Sequence, residues 1–233
     1  MTESDVIRQL AQRTFNVSES SGKRDRWLWD RTVRIVHNVG KICRLPELAG
    51  QAISIERSCL IAAAYFSVSG LIRPAGTKNT GRPLSRADGS DTDLCSLSAK
   101  IAAEALSEVL SETRIHTVSR IITESCNRFT DMTEAMILSD ARNLEDMGAV
   151  GLLHELRQHI INGKNISEIL ESWKCKTEYG YWQARLKESF RYDAVRQMAE
   201  QRLFAMEHFM DQLAAENKPC NLRERLPETA TSK

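Results

Sequence analysis

The chain has 233 residues, 42% of them hydrophobic, which is enough to bury a substantial core and too apolar for a chain disordered throughout. A formal net charge of +1 creates no broad electrostatic field, which argues against a nucleic-acid duplex or an acidic membrane as partner on charge grounds. The six cysteines (Cys43, Cys59, Cys95, Cys126, Cys175 and Cys220) are scattered with no zinc-site or redox-motif spacing, so reduced thiols in a cytoplasm are expected. MTESDVIRQL at the N-terminus has no charged leader followed by an apolar core. No stretch reaches the roughly 20 apolar residues of a membrane span, and a cytoplasmic protein is expected.

Apolar residues recur at three- and four-residue spacing and strand-like alternation is scarce, so an all-α fold is predicted. Residues 4–16 place Val6, Leu10 and Phe15 near one stripe, which predicts an N-terminal helix or arm within residues 1–20. Asp25 is placed to cap a longer helix that ends near Leu45, where Pro46 disfavours continuation. Ser54 is a second cap position, for a helix through IERSCLIAAAYFSVS whose small and apolar residues predict burial on most sides.

From Gly70 to Asp93 the chain reads GLIRPAGTKNTGRPLSRADGSDTD, with four glycines and two prolines, and regular structure is not expected there. A loop this long is either a lid over a site or a polar insertion, the second being the default; it carries Arg73, Lys78, Arg82 and Arg86. Helices resume with Asp93 as a cap for LCSLSAKIAAEALSEVL, then IHTVSRIITESCNR, TEAMILSDARNLEDM and AVGLLHELRQHII, with Gly148 and Gly163 as punctuation. SEILESWKC follows. One long helical run is predicted from Tyr181 to Glu216, before a polar tail over residues 217–233 containing Pro227. A compact multi-helix bundle over residues 21–216, with 70–93 as its long loop, is the simplest partition.

Four segments carry a resemblance. WDRTVRIVHNVGKI matches a helix pattern of tryptophan, one residue, a ligand histidine, two residues, then arginine and an aliphatic residue: Trp29, Arg34 and Ile35 fit, and Arg31 stands at the histidine. LIAAAYFSVSG is similar to an alanine-rich helix ending in a His-Asp pair, here Phe66 and Ser67, or Tyr65 and Phe66 if shifted by one. ILSDARNLEDMGAVG keeps an aspartate, Asp140, with the leucine and glycines after it; RIITESCNR before it offers Ser125 or Cys126 where a further histidine often stands. YWQARLKESFRYDAVRQMAEQRLFAMEHFMDQLAAE places Lys187 and Arg202 where a lysine and a late arginine recur. In this order the segments resemble the cytoplasmic bacterial branch of the HD-domain phosphohydrolases, all-helical proteins that bind divalent metal through two histidines and two aspartates. The resemblance spans most of the chain and implies an HD-like helical bundle whose metal positions are Arg31, Phe66, Ser67 and Asp140.

Those residues do not suit a metal. A guanidinium has only donors, phenylalanine has no lone pair and a serine hydroxyl is a weak ligand, so Asp140 alone is not expected to hold an ion. His37 lies six residues past Arg31, about 240° around the helix, and faces elsewhere. His154, Glu155 and His159 resemble HExxH only superficially, because histidines five residues apart diverge by about 140°. His116 and His208 have no partner at ligand spacing; they, His154 and His159 are read as solvated, and His37 as a packing or surface histidine. There is no GxSxG elbow, phosphate loop or dinucleotide fingerprint, and adjacent Glu145 and Asp146 are expected on a solvated face.

Three arrangements of the former centre are open. Arg31 pairs with Asp140 in place of a metal bridge; or Arg31 faces solvent and Asp140 caps a helix; or Arg31, Arg34, Lys187 and Arg202 keep a cationic cleft for a phosphate or nucleotide. The expected function is that of a catalytically silent, HD-like protein without a cofactor, acting through a phosphate-bearing small molecule or a protein partner. An active phosphohydrolase with unorthodox metal ligands is the alternative, and an apolar helix face is compatible with a homo-oligomer.

Overall fold

The structure, a computed structural model, describes residues 2–16, 26–51, 55–72 and 91–218. Among them are ten α-helices and no strand: α1 Glu3–Asn16, α2 Trp27–Ile42, α3 Arg57–Phe66, α4 Asp91–Leu106, α5 Glu112–Glu124, α6 Thr133–Glu145, α7 Ala149–Ile161, α8 Ile166–Glu178, α9 Tyr181–Ser189 and α10 Asp193–Glu216. The predicted all-α bundle is the observed fold. The expected caps Asp25 and Ser54, the four basic residues of the 70–93 loop and the tail beyond Lys218 lie outside the described residues.

The core is one continuous cluster reaching from Ile7 in α1 to Met210 in α10. In α1 the buried stripe is Ile7, Ala11 and Phe15, each four residues on, with Val6 and Leu10 only half-buried at its edge. α3 is the central helix: Cys59, Leu60, Ala62, Ala63, Ala64, Tyr65 and Phe66 are all buried, so its neighbours pack against every face. Its three consecutive alanines let those neighbours approach closely. α2 lies against α6, α4 against α5, and both pairs flank α3.

α2 stops at Ile42 and a 3₁₀ turn starts at Pro46, as the proline predicts. α4 starts two residues before Asp93, which therefore sits in its first turn rather than at its cap. Gly148 and Gly163 have φ of 90° and 79°, the left-handed region where glycine is favoured, and bracket α7.

Two expectations are corrected. The run from Tyr181 to Glu216 is two helices, because Phe190 and Tyr192 are extended and the backbone N–H groups of Arg191 and Tyr192 donate to the Asp140 carboxylate instead of continuing a helix. The cysteines are not all reduced thiols: Cys95 in α4 and Cys126 after α5 form a disulfide across a separation of 31 residues, a pairing made by helix packing that spacing cannot show.

Gly70 carries a packing constraint, since a Cβ there would lie 2.4 Å from the Leu94 carbonyl oxygen in α4. Gly70→Ala is predicted to destabilise the fold by about 1–3 kcal/mol by forcing these backbones apart. A fall in the urea unfolding midpoint checks this, and an unchanged midpoint would contradict it.

Candidate functional site

The charged site is built where α2 runs beside the C-terminal end of α6. Carboxylates in a last helical turn face the negative end of the helix dipole, so Glu145 and Asp146 need cations close by. Arg31, 6% exposed, donates from Nη2 to Asp146 Oδ1 at 2.6 Å, and Arg185 of α9 donates from Nη2 to Asp146 Oδ2 at 3.0 Å. One turn along α2, Arg34 Nε donates to Glu145 Oε1 at 2.5 Å. Arg202 of α10 donates to the Leu144 carbonyl, and its aliphatic chain covers Gly148, where a Cβ would meet it at 3.1–3.3 Å.

His154 of α7 completes this region. The Trp27 indole N–H donates to His154 Nδ1 and the rings stack with centroids 5.6 Å apart. Accepting at Nδ1 places the proton of the neutral ring on Nε2, which therefore cannot accept from Arg31 Nη1 at 3.5 Å. Burial, reinforced by the Arg31 charge, pushes His154 down to about 4, so it is neutral at ordinary pH. Burial raises the Glu145 carboxyl, partly offset by Arg34, and lowers the Arg202 guanidinium. Three guanidiniums thus bond two carboxylates while a fourth, Arg202, bonds the adjoining Leu144 carbonyl, a local excess of positive charge that is partly withdrawn from water.

Asp140 belongs to a different contact. It is fully buried, with Oδ1 accepting from the Arg191 backbone N–H at 2.9 Å and Oδ2 from the Tyr192 N–H at 3.1 Å, at the entrance to α10. Burial pushes its carboxyl up to about 6 against the lowering effect of these donors. Arg31 therefore pairs with Asp146 and not with Asp140, and it does not face solvent. Nor is Asp140 a helix cap in the ordinary sense: it sits inside α6 and holds the backbone N–H groups of the two residues that precede α10.

Phe66 is fully buried at the end of α3, and Ser67 Oγ donates to the Ala64 carbonyl at 3.0 Å. The four positions implied for a metal therefore offer a guanidinium, a phenyl ring, a hydroxyl turned to its own helix and a carboxylate holding backbone donors. They do not fit a divalent ion. Lys187 is exposed on α9, apart from the arginine network, while Arg31, Arg34 and Arg202 come together as a group around residues 144–146.

Sequence reasoning missed Asp146, Arg185, Trp27 and His154. Glu145 and Asp146 are ion-paired, with side chains only 5% and 14% exposed, rather than on a solvated face, and His154 is half-buried against Trp27 rather than solvated. The available signal was a pair of acids ending a helix just before Gly148, which calls for cations from elsewhere in the fold.

No model of a known protein family and no curated protein matches this chain. Among solved structures it is similar to YpgQ of Bacillus subtilis in complex with ADP, with 18% identity, a TM-score of 0.61 and coverage of 93% of this chain and 95% of that one. A second YpgQ crystal structure is similar at 17% identity and a TM-score of 0.57, over 93% of this chain and 96% of that one. The likeness establishes a common fold.

Asp140 and His154 predict opposed pH effects. With an ordinary value of 3.8 and a folded value of about 6, Asp140 contributes stability fully below 3.8 and loses it as the pH rises to about 6. His154, ordinarily 6.5 and about 4 when folded, contributes fully above 6.5 and loses this as the pH falls towards 4. Asp140→Asn is predicted to give a steeper gain of stability with rising pH than the wild type, read as urea midpoints at about pH 4.5 and 6.5. Parallel profiles would contradict the assignment.

Proposed function

We propose that this chain is a catalytically silent, HD-domain-like protein that binds a phosphate-bearing small molecule at the arginine cluster and does not hydrolyse it. The observation that carries this reading is Arg31, a buried guanidinium at the position where the resemblance implies a ligand histidine, held by Asp146. An ion at that place would meet a fixed positive charge with no lone pair to offer.

The positive excess around Asp146 and Glu145 suits an anion instead. Planar guanidiniums bind phosphate oxygens in a bidentate manner, and Arg34, with a side chain 38% exposed, and the half-buried Arg202 are placed for it. Neutral His154, with its proton on Nε2, adds a donor beside Arg31. The complex of the similar YpgQ fold with ADP supports a nucleotide as the first ligand class to try. A protein partner, a cytoplasmic location and a homo-oligomer are compatible with this reading.

Titration calorimetry with ADP, with and without magnesium, tests the binding. Binding independent of the metal is predicted, weakened by about tenfold or more in Arg34→Ala because a charge-assisted hydrogen bond is lost. No phosphate or pyrophosphate release from nucleoside triphosphates with manganese or magnesium is expected. Metal-dependent turnover abolished by Asp140→Ala would establish the alternative, an active phosphohydrolase.

A further inference from the structure

The Cys95–Cys126 disulfide lies outside the arginine cluster, and its surroundings are asymmetric. Cys95 is 1% exposed within α4. Cys126 is half-buried and lines a cleft of about 200 Å³ together with Ser125, Ser139, Arg142, Asn143 and Arg191. One sulfur of the bond is thus reachable from outside and the other is enclosed.

Arg142 of α6, 8% exposed and part of the cleft wall, approaches both sulfurs. Its Nη1 lies 3.2 Å from Cys95 Sγ, 3.3 Å from Cys126 Sγ and 3.0 Å from Ser125 Oγ. A disulfide sulfur is a weak acceptor and gains little from a guanidinium, whereas a thiolate gains a charge-assisted hydrogen bond. The buried cation therefore favours the reduced pair over the bridge and makes the enclosed sulfur a good leaving group.

We propose that Cys95 and Cys126 form a redox-active pair that exchanges with low-molecular-weight thiols through Cys126. In the reducing direction an external thiolate enters the cleft and attacks Cys126 Sγ. The new bond joins the external sulfur to Cys126; the Cys95–Cys126 bond breaks, and its electron pair leaves on Cys95 as a thiolate beside Arg142. A second external thiolate attacks the external sulfur of the mixed disulfide and releases Cys126 as a thiolate. Two external thiols become one external disulfide, the protein gains two electrons, and each protein sulfur takes up a proton according to pH. Oxidation by an external disulfide runs these steps in reverse. Arg142 touches both reacting sulfurs and stabilises the departing thiolate, and it lies on the same helix as Asp140 and Glu145.

The test uses the full chain equilibrated with reduced and oxidised glutathione, quenched, alkylated and mapped by mass spectrometry. The wild type is predicted to pass between dithiol and disulfide as the glutathione ratio changes. Cys95→Ser is predicted to retain one glutathione on Cys126, because the resolving thiol is gone, while Cys126→Ser retains none on Cys95. Arg142→Gln is predicted to slow reduction of the bridge by about tenfold or more, with Arg142→Lys restoring part of the rate through its charge. A pair that stays bridged or stays reduced at every ratio would overturn the proposal, as would an adduct on Cys95 as abundant as that on Cys126. The serine variants are close in size to cysteine, so their trapping asymmetry stands as a test even if Arg142→Gln does not fold.

Discussion

A single buried carboxylate sets the geometry of the charged site. Asp140 holds the backbone N–H groups of Arg191 and Tyr192, which ends α9 at Ser189 and starts α10 at Asp193 in a new direction. Glu47 adds a second anchor by accepting from the Ala194 N–H at 3.1 Å. Both acids sit at the positive end of the α10 dipole, where negative charge is favoured. The break allows Arg185 to reach Asp146 from α9 while Arg202 reaches the Leu144 carbonyl from α10. A continuous helix would carry the two arginines along one axis, away from one end of α6.

Around that end, arginines neutralise carboxylates as a metal would, with different chemical consequences. A divalent ion accepts lone pairs and can polarise a bound water, whereas guanidiniums donate hydrogen bonds and keep a fixed charge. Burying charges is costly, and the network offsets that cost by hydrogen-bonding each carboxylate, while burial and the Arg31 charge keep His154 neutral. The proposed phosphate-bearing ligand would find donors already oriented and a positive excess. These are requirements of binding, not of hydrolysis.

Local signals were legible where local physics decides. AVGLLHELRQHII is α7 as predicted, Gly148 and Gly163 mark its ends, Pro46 follows the end of α2, and the alanine-rich α3 is buried on all sides. The break at residues 190–192 was not legible, because its cause is a carboxylate some 50 residues away that competes for backbone donors the local pattern assigns to a helix. The Arg31–Asp146 and Arg34–Glu145 pairs and the Cys95–Cys126 bridge follow from how helices pack. The resemblance drew attention to Arg31 with Asp140 as its expected partner, but the observed partner, Asp146, lies six residues further on, beyond the end of α6.

Elemental analysis of the purified protein, after exposure to manganese, iron, zinc and magnesium and removal of the excess, is the most direct test of the proposed silent centre, in which Arg31 stands where the resemblance implies a ligand histidine. No stoichiometric ion is predicted, in the wild type or in Arg31→His alone, because Phe66 and Ser67 remain. About one or two ions per chain, lost in Asp140→Ala, would contradict the silent centre and make Asp140 a working ligand.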